Sequence, residues 1–137
     1  MAENVIPRKY NYTLETGPVG TDDDDMANIL YNINRMEMKA AYDTDDLKDM
    51  QKAFGDAFFM ALDSSMHFKS FLEKQGGKLN EGTIRSVKNT LDEAAAVLGA
   101  VKPPQTDIEL MNTSIKTAYQ KMLNAVPSLV LLDKQSI

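Results

Sequence analysis

The chain has 137 residues, 43% hydrophobic and 26% charged, with a formal net charge of −5, a composition that fits one domain with an ordinary core. It has no cysteine, no tryptophan and a single histidine, which removes disulfide scaffolds, thiolate metal sites, iron–sulfur clusters and cysteine nucleophiles, and leaves little for an imidazole metal site or a conventional triad. Residues 1–25 carry six acids against two bases and the remainder fourteen against thirteen, so no basic stripe exists to displace counterions from nucleic acid or to hold an anionic membrane.

Residues 1–21 read as an extended arm. Pro7, the Gly17–Pro18 pair and Gly20 interrupt any helical pattern, Gly–Pro being a loop signal. Between them Tyr10, Tyr12 and Leu14 alternate with polar residues and would share one side of a strand. The opening residues lack the basic region and apolar stretch of a secretory signal, and no run approaches the roughly 18 apolar residues that span a bilayer. The chain is therefore expected to be soluble, off the membrane and cytoplasmic when synthesised.

Thr21 followed by Asp22, Asp23, Asp24 and Asp25 announces a helix over about 23–42, because carboxylates suit the unpaired amides and positive dipole end of a helix start. Its apolar face is Met26, Ile29, Leu30, Ile33, Met36 and Ala40. A calcium loop would need alternating oxygens, a glycine turn and a distal Glu, and that pattern is missing. Asp43 or Thr44 is then expected to cap a long second helix. Its main stripe is Leu47, Met50, Phe54, Ala57, Phe58, Ala61, Leu62, Ser65, Phe68 and Leu72, with Phe59, Met60, Met66 and Phe71 off it. A helix apolar over more than one face is central or carries an interface. Gly55 and Ser64–Ser65 mark weak points or close packing, and Gly76–Gly77 suits the left-handed stop.

Asn80 opens the third helix, with a Glu81–Arg85 pair one turn apart and a seam of Ile84, Val87, Leu91, Ala94, Leu98 and Val101; Pro103–Pro104 stops it. Thr106 and Glu109 read as a capping box for a fourth helix with the seam Ile108, Met111, Ile115, Ala118, Met122 and Ala125, closed by Pro127. Seams stepping by three and four residues are those of helices packed at shallow angles, and short connections favour antiparallel neighbours. The expected fold is all-α: an antiparallel up-down four-helix bundle over 22–127, with the arm before it and a short tail, 128–137. That tail either extends the last helix or pairs, as a short extended piece, with residues 9–14. The nine methionines are mostly filler for irregular core gaps.

No chemistry emerges from these elements. A di-iron bundle needs Glu-x-x-His on two helices, which one histidine cannot supply, and His67 is better read as a partly exposed or hydrogen-bonded structural imidazole. Gly76–Gly77–Lys78 lacks the rest of a phosphate-binding loop. The acidic pairs Asp45/Asp49 and Asp107/Glu109 flank helix starts, where the dipole accounts for them. No serine sits in a nucleophile elbow. No catalytic residue, metal ligand or cofactor is assigned.

Recognition of proteins is what remains. The candidate contact residues are Tyr10, Tyr12 and Leu14 in the arm, Phe59, Met60, Met66 and Phe71 on the second helix, and Leu129 and Leu131 in the tail. They lead to the expectation of a non-enzymatic structural or accessory subunit of a larger assembly, such as a viral or bacterial particle, that self-associates as a homo-oligomer. The alternatives are a soluble adaptor, chaperone or inhibitor of one partner protein and, more weakly, a bundle holding a small apolar ligand.

Overall fold

The computed structural model describes residues 24–75 and 79–135. Among them the chain forms five helices and no strand: α1 (Asp25–Ala41), α2 (Leu47–Gln75), α3 (Glu81–Gly99), α4 (Ile108–Asn124) and α5 (Val126–Gln135). The four long helices pack as an antiparallel up-down bundle, α1 beside α2 and α4, α3 beside α2 and α4, with α2 and α4 also touching across the centre. At 29 residues, α2 is about 44 Å long at 1.5 Å per residue.

The helix starts follow capping chemistry, shifted in two places from the expected residue. Asp24 caps α1 by accepting from the Ala27 amide at 3.0 Å, and Asn80 caps α3 through the Thr83 amide at 2.9 Å. Ahead of α2 it is Asp46, not Asp43 or Thr44, that accepts from the Asp49 amide at 3.0 Å; Thr44 Oγ instead accepts from the Asp46 amide and shapes the approach. Ahead of α4 the cap is Asp107, accepting from the Leu110 amide at 3.0 Å, so the Thr106–Glu109 box is not formed. In both cases an acid one turn before an available amide takes the position, since a short carboxylate satisfies it without bending the chain. The Glu81–Arg85 pair is not among the ion pairs of the described residues.

The seams of α1, α3 and α4 lie inside as expected, Met26, Ile29, Leu30, Ile33, Val87, Leu91, Leu98, Met111, Ile115 and Met122 all being buried. α2 departs from its expected stripe. Met60, Ser64 and Phe71 are buried, while Leu62 is exposed. The reason is tertiary. α2 touches α1, α3 and α4, and Asn32 of α1 donates to Ser64 Oγ at 3.1 Å, which turns the line through Met60, Ser64 and Phe71 inward.

Of the two courses expected for the tail, the helical one is taken. Pro127 does coincide with the end of α4 at Asn124, but it is also the second residue of α5, where its missing N–H costs nothing because first-turn amides lack helical partners. The Leu129 amide donates back to the Ala125 carbonyl at 2.9 Å. Val126, Leu129 and Leu132 are buried against α1, α3 and α4. The tail is a helix that fills the core, not an extended piece.

Candidate functional site: the outer face of the second helix

Because three helices occupy the inner arc of α2, its opposite side shows what the fold leaves over. The exposed positions Lys52, Gly55, Phe59, Leu62, Met66, Lys69 and Glu73 follow one another by alternating steps of three and four. That is the spacing of a coiled-coil seam, and nothing in the described chain packs on it. At its centre Phe59 is 62% exposed, Leu62 46% and Met66 71%. Single exposed apolar side chains are ordinary; three on one line of one helix form a continuous patch. A Cβ added at Gly55 would meet nothing within 4 Å, so this glycine is not a point of close packing within the chain.

Met66 also forms the edge of an open groove of about 260 Å³ between α2 and α3, floored by Phe68, Leu72 and Leu91 and rimmed by Lys69 and Lys88. Lys88 is paired with Asp92 at 2.8 Å. Towards the other end of this contact, Phe58 closes the space by lying against Gly99, where a Cβ would stand 3.4 Å from its ring.

The α1 side of α2 is polar and shut. Asp25, only 6% exposed, has Oδ1 2.9 Å from His67 Nδ1 and Oδ2 3.0 Å from Lys74 Nζ. His67 Nε2 lies 3.5 Å from Asp63 Oδ2, to which Asn32 donates at 3.0 Å, and Ser64 Oγ donates to the Met60 carbonyl at 2.8 Å. Burial by itself would raise the Asp25 carboxyl. The contacts with His67, Lys74 and Ser70 and the Lys74 charge outweigh it and hold the group below its ordinary value. The imidazole is thus held between two carboxylates, as expected of a structural histidine. Further along, Asp56 pairs with Lys39 and Lys52, each at 3.2 Å. These ammonium groups overcome the effect of burial and lower the Asp56 carboxyl as well. Among the described residues no three His, Cys, Asp or Glu side chains are grouped to hold a metal ion, and no helix is long and apolar enough to cross a membrane.

Of the contact residues expected from sequence, Phe59 and Met66 stand on the outer face. Met60 and Phe71 do not: both are buried, on the line that Asn32 turns inward. Leu129 is likewise buried, with Val126 and Leu132 on the side of α5 that packs on the bundle, whereas Leu131 is 46% exposed. Tyr10, Tyr12 and Leu14 lie outside the described residues. Leu62 also stands on the outer face although it continues the expected apolar stripe of α2; the steps from Phe59 to Leu62 to Met66 are the signal in the sequence that places it there. Comparison with family models, curated proteins and solved structures finds no match to this chain.

Proposed function

We propose that the chain is a non-enzymatic structural or accessory subunit of a protein assembly and joins it through the outer face of α2. One observation carries the reading: Phe59, Leu62 and Met66 form an exposed apolar line on a helix whose inner face is already filled. The absence of cysteine and the presence of a single histidine support a role without catalysis. A viral or bacterial particle is one setting in which such a subunit works. A soluble adaptor is the second reading, favoured by the groove between α2 and α3, which suits an apolar side chain or short segment of a partner.

A photo-crosslinking amino acid placed at Leu62, with the same probe at exposed Lys116 of α4 as control, tests the first reading in the native source. Discrete protein adducts are expected at Leu62 and not at Lys116. Equal, diffuse labelling at both positions would count the face as bare surface and remove the proposal. Adducts obtained instead from a probe at Lys88, on the groove rim, would favour the adaptor.

A further inference from the structure

The outer face of α2 is matched to a copy of itself run in the opposite direction, and we infer that the chain forms a two-fold dimer in which α2 packs antiparallel on α2 of a second copy, centred at Leu62. This rests on the face being a docking surface and names its occupant.

The argument starts from the order of residues along the exposed line. Phe59 lies three residues before Leu62 and Met66 four after, so reversal about this centre sets Phe59 opposite Met66 of the second copy, twice, with Leu62 against Leu62 between them. All three contacts are apolar, and isologous pairing of one patch with itself is the commonest way soluble chains associate. Farther out, Lys52 stands ten residues before the centre and Glu73 eleven after, about 16 Å away on either side at 1.5 Å per residue. Reversal therefore puts Lys52 of each copy opposite Glu73 of the other, two unlike pairs at the rim. Gly55 and Lys69 come into register too: with no Cβ and open space above Gly55, the aliphatic stem of the facing Lys69 can lie across the helix while its ammonium stays in water.

A parallel pair, by contrast, would bring Lys52 level with Lys52, Lys69 with Lys69 and Glu73 with Glu73, all repulsive. The charge order thus selects one direction as well as one partner. A two-helix contact of this length sits at the small end of specific interfaces, so the association is expected to be weak and reversible.

Sedimentation equilibrium of the full chain across about 1 to 300 µM should follow a monomer–dimer equilibrium. Lys52→Glu and Glu73→Lys alone should each raise Kd by about five- to tenfold, the size expected for two exposed rim pairs turned repulsive. The double variant Lys52→Glu with Glu73→Lys restores unlike pairs and should return close to the parent. Since the chain has no cysteine, single cysteines report direction cleanly. Leu62→Cys should oxidise to a linked dimer, and a mixture of Phe59→Cys and Met66→Cys should give the mixed disulfide faster than either links to itself. Helical circular dichroism and melting of each variant check that the fold is kept. A chain monomeric throughout, a double variant as weak as the sum of the singles, or preferential self-linking of Phe59→Cys overturns the antiparallel dimer. If the chain is monomeric while the probe at Leu62 still captures discrete protein adducts, the docking face stands and only its occupant changes.

Discussion

The two faces of α2 are built from the same kinds of residue and meet opposite fates. Inside, Met50, Phe54, Met60, Phe68 and Phe71 are buried; outside, Phe59, Leu62 and Met66 are exposed, although Met60 is the very next residue after Phe59. Hydrophobicity does not separate them. What separates them is the presence of a neighbour, and on the α1 side that neighbour adds Asn32, Asp25 and their polar partners to its own buried apolar seam. Buried polar groups of this sort fix register because a misaligned helix would leave them unpaired, whereas the outer face carries its polar groups at its exposed ends. The inner contact is therefore specified and the outer one is open.

The largest test of this contrast is to place the same charge on adjacent residues. Met60→Asp puts a carboxylate among buried apolar side chains and should destabilise by about 3–5 kcal/mol in chemical denaturation. Phe59→Asp, one position away, should change monomer stability by no more than about 0.5 kcal/mol. Similar losses for both would mean that the outer face is covered within the chain.

A smaller effect is expected where the α1 contact is polar. Asn32→Ala leaves Ser64 and Asp63 without their donor and should cost about 1–3 kcal/mol in urea melts. No loss would show that the register is held by the apolar seam alone.

The same contact should respond to acid. The folded Asp25 carboxyl titrates below its unfolded value, so the folded state binds the proton less readily. Its contribution is present above the unfolded carboxylate pKa and fades as pH falls through the lower, folded one. Asp25→Asn should accordingly be less stable than the parent at neutral pH and flatten the acid limb of a melting-temperature profile. An unchanged limb would place the acid sensitivity elsewhere, Asp56 being the next group to examine.

The smallest expected effect belongs to the outer face and has the opposite sign. Gly55→Ala adds a methyl into open space and removes backbone freedom from the unfolded chain, so it should stabilise by about 0.5–1 kcal/mol. Destabilisation would reveal a close neighbour over that glycine.

Much of the fold was legible before any coordinates. Apolar residues at alternating steps of three and four gave α1, α3 and α4 and most of their buried seams, with Ile84 and Ile108 at the helix starts only partly buried. The candidate site was legible only in part. Phe59 and Met66 stood off the stripe and were found, but Met60 and Phe71 stood off it too and are core, and Leu62 stood on it and is exposed.

Sequence by itself determined the number and approximate span of the long helices and the all-α class, since these follow from local periodicity, caps and residue types. Tertiary structure alone decided which side of α2 faces inward and that Pro127 opens a core-filling helix instead of ending the bundle. Both depend on partners far away in the chain: Asn32, 32 residues from the Ser64 it holds, and the surfaces of α1, α3 and α4 that receive Leu129 and Leu132. A helix with apolar residues on more than one side does not itself say which of them are covered; the neighbours that pack on it do.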